Sequence, residues 1–312
     1  MKTFSYTKSQ NLVEELNKIN KLRENLLLTP LSPRDKLTFR WTANINHIYF
    51  SNILAGLEIK KEQIVELLSP IGKSNLTSKQ KSIVGFKKAL DYISQEWLVT
   101  TRSVDENTVT NLYHIITNSK IKLNNQDLQD GLRYIQASPD HPLLQAALAQ
   151  ILIQTENFFG EESPQLGSLT SLLFLYKSGY DFRRFLVIEE YFYQQRDRYN
   201  KLINQSVRDT NVTPWLEFVV EATEYQLNKL LRQINSREFE ETETSRALLE
   251  VNERQKQILS SLDKPGSKIS NKILQKNFKI SAITAARDLA KLTSLRLLFP
   301  VGRGRSTYYT KA

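Results

Sequence analysis

Helical periodicity runs through almost all of the first 234 residues, and it constrains the fold more than any other feature. Apolar residues recur there at intervals of three and four, which is typical of helices with one buried face. The predicted helices are Leu12–Leu26, Arg40–Leu54, Lys61–Leu68, Ser78–Glu96, Glu106–Thr117, Gln126–Ile135, Pro142–Gln154, Leu169–Lys177, Ile188–Ile203 and Pro214–Ile234. No period of about 20 to 50 residues repeats, so the pattern does not indicate a solenoid. The predicted fold class is therefore mainly α.

Composition excludes several kinds of functional site. The chain has 312 residues, 40% of them hydrophobic, which is enough for two domains at about 150 residues each. It has no cysteine, and this excludes disulfides, thiol nucleophiles and cysteine-ligated zinc. Its three histidines, His47, His114 and His141, are far apart and lack the HExxH spacing of a zinc-binding helix. Neither a Walker A phosphate loop nor a GxSxG nucleophile motif is present.

Membrane and secretory signals are also lacking. No run approaches the roughly 18 apolar residues that a membrane span needs. The first eight residues carry charge but lead into no apolar region of the kind found in signal peptides. We therefore expect a soluble, cytoplasmic protein with no membrane partner.

Positive charge is concentrated at the C-terminal end. The formal net charge is +10, and the segment Asn252–Ala312 holds 13 lysines and arginines against Glu253, Asp263 and Asp288. The remainder of the chain is balanced, with 30 basic and 30 acidic residues. A local positive field favours a polyanionic partner, because neutralised phosphates release their counterions. A solvated basic tail is the alternative interpretation.

The pattern within this basic segment predicts three helices followed by a β-hairpin. Helix one ends at the breaker Asp263–Gly266, and the hairpin turn is Gly302–Arg305. The predicted elements are a helix over Glu253–Leu262, a helix after the N-cap Ser270, a helix after the N-cap Ser281, and strands over Leu297–Val301 and Ser306–Tyr309. This order is typical of a winged helix, in which a helix-turn-helix precedes a hairpin.

A winged helix places its third helix in the major groove and its hairpin tip near phosphate or the minor groove. Ala282 and Ile283 follow the third cap and offer no hydrogen-bond code, although alanine can contact a thymine methyl group. Phosphate binding is therefore favoured over base reading, and a role in protein interaction or dimerisation stays open. The predicted DNA-binding residues are Lys272 and Lys276 on helix two, Ser281, Thr284, Arg287 and Lys291 on helix three, and Arg303 and Arg305 in the wing.

Several segments resemble one family. Ser281–Leu289 and Gly302–Tyr309 are similar to the C-terminal winged helix common in bacterial Fic-family proteins, which reads S-x-x-T-A-x-R-D-L and then G-x-G-R-S-T-Y-Y. Lys177–Phe185 resembles the segment that follows the active-site loop of Fic domains. His141–Ala147 resembles the helix before that loop, and Thr213–Phe218 resembles a later helix of the family.

The resemblance covers residues 39–234 and the C-terminal segment. It implies an all-helical Fic fold followed by a winged helix-turn-helix domain. The implied segments are 1–100, an N-terminal helical region with a degenerate inhibitory helix; 101–235, the Fic core; 236–251, an acidic helical connector; and 252–312, the winged helix-turn-helix.

Fic proteins typically transfer AMP from ATP to a protein hydroxyl by means of a loop of the form HPFx[DE]GNGR. The histidine is the general base, the acid holds Mg²⁺, the glycines and asparagine cradle phosphate, and arginine neutralises the polyphosphate. A gap-free comparison places residues 157–165 on this loop. The aligned residues are Asn157 for the histidine, Glu161 for the acid, Glu162 and Pro164 for the glycines, Ser163 for the asparagine, Gln165 for the arginine and Ser168 for a second arginine.

These replacements remove most of the chemistry that the resemblance would otherwise imply. An amide such as Asn157 cannot accept a proton near neutral pH. Glu162 adds negative charge where polyphosphate would lie, and Pro164 has no amide hydrogen to donate. Only Glu161 retains its chemical group, and it is the one candidate metal ligand. The resemblance therefore implies no catalytic residue in this loop.

Two other parts of the Fic pattern are altered as well. Many relatives carry an inhibitory helix of the form SxxxE[GN], whose glutamate pairs with the second arginine. The corresponding segment here is Ser51–Gly56, and Ala55 replaces the glutamate. Fic proteins also carry a β-hairpin that docks the target protein, between the helices that correspond to Glu106–Thr117 and Gln126–Ile135. Only Asn118–Asn125 separates these helices here, and this segment is too short to form such a hairpin.

Some residues are expected to be structural. His141 precedes Pro142 and is predicted to cap or pack a helix start rather than to catalyse. The aromatic residues Tyr191, Phe192, Tyr193 and Tyr199 have helical spacing and are predicted to lie in the core and at an interface.

Three functions follow as hypotheses. The first is a catalytically inactive Fic-type protein that acts as a DNA-binding transcriptional regulator and needs no cofactor. The second is a protein adenylyltransferase with residual or altered activity that uses ATP, Mg²⁺ and Glu161. The third is a protein-interaction scaffold that does not bind nucleic acid. By analogy with other winged helices and Fic proteins, a homodimer or a protein partner is compatible with each of them.

Overall fold

The computed structural model describes residues 4–68, 76–121, 123, 125–235, 251–262, 267–295, 297–302 and 307–311. The predicted wing residues Arg303 and Arg305 lie outside the described residues, as do residues 236–250 of the predicted connector.

Helices make up most of the described chain. The first group of helices is α1 Gln10–Leu28, α2 Pro33–Leu54, α3 Lys61–Leu68, α4 Ser78–Glu96, α5 Glu106–Thr117, α6 Gln126–Ala137, α7 Pro142–Glu156, α8 Ser163–Lys177, α9 Glu189–Gln194, α10 Arg196–Arg208 and α11 Thr213–Asn235. The C-terminal elements are α12 Glu253–Ser261, α13 Asn271–Phe278, α14 Ala282–Ser294, and strands β1 Leu298–Val301 and β2 Tyr308–Lys311.

Three of the predicted helices differ from the observed ones by more than two residues or by a break. The helix predicted from Leu169 begins at Ser163, so it already includes the last residues of the aligned Fic loop. The helix predicted from Arg40 begins at Pro33, because the fixed φ of proline suits the first turn of a helix. The single helix predicted over Ile188–Ile203 is two helices, α9 and α10. They are separated at Gln195, whose φ of −109° and ψ of 38° lie outside the helical region.

The chain forms two compact units. The first contains residues 1–29, 43–59 and 77–231, and the second contains residues 30–42, 60–76 and 232–312. Packing thus divides the N-terminal hundred residues between the two units. The four-segment division implied by the Fic resemblance stays a prediction.

The first unit is built around α7 and α8, which are buried on nearly all sides. Gly167 allows these helices to pack closely, since a Cβ atom there would lie 2.9 Å from Cγ of Gln154 and 3.0 Å from the carbonyl oxygen of Gln150. This packing fixes the start of α8, the helix that follows the predicted Fic loop.

An aromatic cluster holds α9, α10 and α11 together. The ring of Phe192 lies 5.3 Å from those of Tyr199 and Phe218 and 5.7 Å from that of Trp215. Nε1 of Trp215 donates a 2.9 Å hydrogen bond to the carbonyl oxygen of Ala147 in α7. The predicted burial of the aromatic run is correct for Tyr191, Phe192 and Tyr199, whereas Tyr193 is exposed.

The second unit contains the C-terminal helices and strands. Strands β1 and β2 are antiparallel, with Leu298 opposite Lys311 and Val301 opposite Tyr308. Ile269 adds an antiparallel bridge to Tyr309, in which each backbone N–H bonds the other carbonyl at 2.9 and 2.6 Å.

Apolar residues of all three C-terminal helices form one core with these strands, represented by Ile258, Leu274, Leu289 and Leu298. The predicted N-caps are confirmed: the Ser270 hydroxyl accepts from the backbone N–H of Ile273, and the Ser281 hydroxyl from that of Thr284. Across the described part of the chain, no helix is both long and apolar enough to cross a membrane.

Candidate functional site

The loop aligned with the Fic motif joins α7 to α8. Asn157 ends α7 in a left-handed conformation with φ of 49°, and its side chain is exposed. Phe159 is buried and stacks on Tyr113 at 5.6 Å between ring centroids. The backbone N–H of Phe159 also donates a 3.1 Å hydrogen bond to the Ser163 hydroxyl. These contacts fix the loop as one short 3-10 turn ahead of α8.

The loop offers little to an anionic ligand. Glu161 is exposed and Glu162 is half-buried, and both lie in the 3-10 turn Gly160–Glu162 that leads into α8. Their carboxylates oppose the binding of phosphate at this helix start. Pro164 stands in the first turn of α8 and provides no N–H donor. No group of three or more His, Asp or Glu side chains that could hold a metal ion occurs among the described residues, so Glu161 has no such set of partners there.

Gln165, at the position of the phosphate-binding arginine, faces the inside of the unit. It is 3% exposed, and its Nε2 donates a 3.0 Å hydrogen bond to Oδ1 of Asn52 in α2. Asn52 is itself fully buried and donates through Nδ2 to the carbonyl oxygen of Ile48 at 2.6 Å. The amide of Gln165 is therefore committed to a helix–helix contact.

Ser168, at the position of the second arginine, is part of a buried polar cluster. Its hydroxyl donates a 2.5 Å hydrogen bond to Oε1 of Glu189 and lies 3.4 Å from the Ser51 hydroxyl. Oε2 of Glu189 lies 3.0 Å from Nδ1 of His47. We call His47, Ser51, Ser168 and Glu189 the buried network; it joins α2, α8 and the start of α9.

Glu189 carries the charge in this network. Burial alone would raise the pKa of its carboxyl group. The neighbouring His47 imidazole and the hydrogen bonds from His47 and Ser168 outweigh that effect, so the pKa of Glu189 lies below its ordinary value. An ionised carboxylate accepts from both neighbours, and this satisfies a group that would otherwise be costly to bury.

The segment aligned with the inhibitory helix includes the end of α2 and contacts α8. Ser51 belongs to α2 and contacts Ser168, the residue at the second-arginine position. Ala55 follows the end of α2, and its backbone N–H donates to the Ser51 carbonyl oxygen at 3.1 Å. Ala55 has no side-chain group that could bind a cation. The polar contacts described between α2 and α8 are the Ser51–Ser168 contact of the network and the hydrogen bond from Gln165 to Asn52.

His141 caps α7, as predicted. Its Nδ1 accepts from the backbone N–H of Leu143 at 3.2 Å, and its Nε2 lies 3.0 Å from Oδ1 of Asn20. Burial, together with the positive charge of Arg23, lowers the pKa of His141 to about 4. The imidazole is therefore neutral at physiological pH and has a structural task.

The segment expected to be too short for a docking hairpin lies between α5 and α6. Asn118 ends α5 in a left-handed conformation, and the Asn125 side chain caps α6. The described residues of this segment, namely 118–121, 123 and 125, are not in a strand.

The predicted DNA-binding residues lie on α13 and α14. Lys272, Lys276, Arg287 and Lys291 are exposed. Ser281 and Thr284 are less available, because their hydroxyls lie 2.9 Å apart and the Ser281 oxygen also caps α14.

Asp288, the acidic residue of α14, is buried. Its carboxylate accepts from Nε of Arg254 at 2.6 Å and from Nε2 of Gln255 at 2.8 Å. Both donors belong to α12, so these bonds fix α14 on α12. The negative charge of Asp288 is therefore compensated within the unit and turned away from the exposed cations.

Sequence reasoning did not single out His47 or Glu189 as site residues. They are 142 positions apart, and no local spacing relates them. A weak signal is present in each case, because each is a polar residue among apolar and aromatic neighbours in a predicted helix.

Solved structures of Fic proteins are similar to this chain. A Fic family protein from Desulfovibrio desulfuricans G20 is 14% identical over 98% of this chain and 97% of its own, with a TM-score of 0.62. Fic-1 from C. elegans is 13% identical over 70% of this chain and 71% of that structure, with a TM-score of 0.57. A Fic domain containing signaling protein from Bacteroides thetaiotaomicron VPI-5482 is 15% identical over 71% of this chain and 97% of its own, with a TM-score of 0.54. No protein-family model and no curated protein sequence matches the chain at a significant level.

Proposed function

Given that the chain has the Fic fold, we propose that it acts as a regulator that binds duplex DNA and does not transfer AMP. The proposed DNA-binding part is the C-terminal unit, by which we mean α12, α13, α14, β1 and β2 with their shared core. One observation carries this proposal. Residues 267–295 contain six lysines and arginines and a single acid, Asp288, and that acid is buried against Arg254. The exposed surface of α13 and α14 is therefore uniformly positive, which favours a polyanion.

The order of the C-terminal elements supports duplex DNA as that polyanion. Three helices precede a hairpin, and Ile269 between α12 and α13 bridges to β2. We interpret this unit as a winged helix, in which α14 would enter the major groove and α13 would cross the backbone. On this interpretation Arg287 and Lys291 lie on the groove-facing helix, and Lys272 and Lys276 are placed for phosphate contacts.

The geometry of the loop before α8 supports the loss of AMP transfer. Transfer would need a base at Asn157 and donors for polyphosphate at Pro164 and Gln165. The first has no basic group, the second has no N–H, and the third is bonded to Asn52. Glu161 alone keeps the side chain that the Fic reaction needs, and it would have to work without these partners.

The test is binding of the full chain to a mixed-sequence DNA duplex, measured by fluorescence anisotropy over a salt titration. The variant is Arg287→Glu, and its matched control is Lys201→Glu, which makes the same charge change at an exposed lysine of α10. We expect Arg287→Glu to raise Kd at least tenfold and to reduce the log–log salt slope by about 0.9, the value for one phosphate contact. The control should bind as the parent does.

Three other results would contradict the proposal. Equal reductions in affinity in the two variants would indicate attraction to net charge rather than to this surface. No binding by the parent at low salt would favour the scaffold hypothesis, and AMP transfer to a protein from labelled ATP would favour the adenylyltransferase hypothesis.

A further inference from the structure

Two large apolar side chains are exposed on the basic surface. Ile283 is 67% exposed and Ile273 is 43% exposed. Among the described residues of the C-terminal unit they are the large hydrophobic side chains with the greatest exposure. Because both side chains lie on a surface that carries phosphate-binding cations, they are available for contact with an apolar group of the same ligand.

The helices that carry the two isoleucines begin near each other. Nδ2 of Asn271, the first residue of α13, donates a 3.0 Å hydrogen bond to the carbonyl oxygen of Ala282, the first residue of α14. Ile273 follows Asn271 by two positions, and Ile283 follows Ala282 directly. The bond therefore brings the first turns of both helices together, with one exposed isoleucine on each.

The polar side chains beside them are already bonded. The Ser281 hydroxyl caps α14 and meets Thr284. The Asn271 side chain donates to Ala282 and accepts from Nε2 of Gln275 at 2.6 Å. These groups have little capacity left to read hydrogen-bonding base edges, whereas the isoleucine methyl groups are free to make apolar contacts.

The charged side chains beside the two isoleucines indicate which ligand would contact them. Lys272 lies next to Ile273, Arg287 lies one turn after Ile283, and both cations are exposed. The matching ligand presents small apolar groups between rows of negative charge. The C5 methyl groups of thymine in the major groove of a duplex are arranged in this way.

We infer that Ile283 of α14 contacts thymine methyl groups in the major groove and that Ile273, in the first turn of α13, adds an apolar contact at the edge of that groove. The surface would then select duplex DNA by methyl content rather than by a hydrogen-bond code. This inference rests on the proposed DNA binding and specifies which chemical group of the DNA the protein recognises. An apolar contact with the C5 methyl group distinguishes thymine from cytosine and from uracil. Uracil has the same base-pairing edge as thymine but lacks the methyl group.

The test uses the full chain and one random-sequence duplex pool synthesised either with thymidine or with deoxyuridine. The two pools differ only in the C5 methyl group. We expect the deoxyuridine pool to bind about fourfold more weakly for each methyl group that the isoleucines would otherwise bury. In Ile283→Ser the ratio of the Kd values for the two pools should fall at least about fourfold. The salt slope of binding should stay unchanged. The control Val207→Ser alters a valine of α10 that is 50% exposed, and it should keep the full difference.

Each other outcome overturns the inference in its own way. Equal binding of both pools, with a normal salt slope, would overturn methyl reading and leave DNA binding intact. A methyl preference that survives in Ile273→Ser combined with Ile283→Ser would assign the preference to other residues. No binding of either pool would overturn the proposed function itself. Self-association that weakens in Ile283→Ser, with no methyl preference in the parent, would assign the isoleucines to contact between copies of the chain.

Discussion

The Ser168 hydroxyl donates a 2.5 Å hydrogen bond to Oε1 of Glu189, and both side chains are buried. The first stands where a Fic protein would carry an arginine, and the second is an anion that needs donors. The buried network therefore provides structural contacts at the position aligned with the second arginine of the Fic loop.

Replacement of Glu189 by glutamine tests this role in stability. Glu189→Gln removes a charge that His47 and Ser168 satisfy, and it turns an amide N–H toward one of these donors. We expect a loss of about 2–4 kcal/mol in the free energy of unfolding, measured by urea denaturation at pH 7. The control is Glu190→Gln, whose partner Lys229 is partly exposed; this change should cost less than about 1 kcal/mol.

The difference between Glu189→Gln and the parent should depend on pH. The pKa of Glu189 is lowered in the folded state, so its contribution is present above the ordinary carboxyl pKa and is lost as pH falls through the folded value. The free energies of unfolding of the parent and of Glu189→Gln should therefore converge in acid, at pH values below the ordinary carboxyl pKa of 4.5. A gap that stays constant through this range would show that the charge of Glu189 is not what the network stabilises.

His141 predicts a second pH dependence in a different range. Its pKa is lowered to about 4 from an ordinary value of 6.5, first by burial and then by Arg23. Between these two pH values His141 is protonated in the unfolded chain and neutral in the folded chain. The free energy of unfolding therefore falls as pH drops from about 6.5 to 4. Because the ring keeps some contact with water, we expect a loss on the order of 2 kcal/mol.

The measurement for His141 is the urea midpoint as a function of pH. His141→Asn should abolish this part of the slope and leave the slope below pH 4 in place. His114→Asn is the control, since His114 bonds only through Nδ1 to the Ser119 carbonyl oxygen among the contacts described for it. An unchanged slope in His141→Asn would refute the assignment.

Asp288 connects the stability of the C-terminal unit with DNA binding. Asp288→Asn weakens the charged hydrogen bonds from Arg254 and Gln255, and we expect the unit to lose about 2–3 kcal/mol. Because α14 also carries Arg287 and Lys291, DNA affinity should fall although positive charge is gained. If DNA binding strengthened instead, net charge would outweigh the position of α14. Salt titration by anisotropy and thermal unfolding distinguish the two effects.

ATP and Mg²⁺ should not stabilise the chain. The missing N–H of Pro164 and the added carboxylate of Glu162 oppose phosphate binding at the start of α8, so millimolar ATP with Mg²⁺ should raise Tm by less than about 1 °C. Asn157→His restores the general base alone and should leave this result unchanged. A concentration-dependent rise in Tm in the parent would show that the loop still binds nucleotide.

Local signals account for the parts of the fold that the sequence predicted well. The bounds of α4 and α5 agree with prediction because Thr77 and Asp105 form capping boxes at their starts. The break at Gln195 was missed, since its neighbours keep helical spacing and only the backbone angles reveal it. Phe192 and Tyr199 lie on either side of that turn and stack at 5.3 Å between ring centroids, which indicates that tertiary packing outweighed local propensity there.

The candidate site was likewise predicted from the sequence only in part. Residue identities predicted what the loop lacks, because a missing N–H or imidazole can be read from one position, as at Pro164 and Asn157. They did not predict what replaced it. The contacts of Gln165 with Asn52 and of Glu189 with His47 join residues more than a hundred positions apart, and only the folded chain brings them together.

The bond between Gln165 and Asn52 also limits which substitutions this position tolerates. Gln165 is 3% exposed, so an arginine introduced there would bring a larger, charged group against a neutral amide, at a cost in stability. Glu162 and Pro164 would still oppose phosphate beside it. The requirement to fold is therefore enough, by itself, to disfavour an arginine at this position.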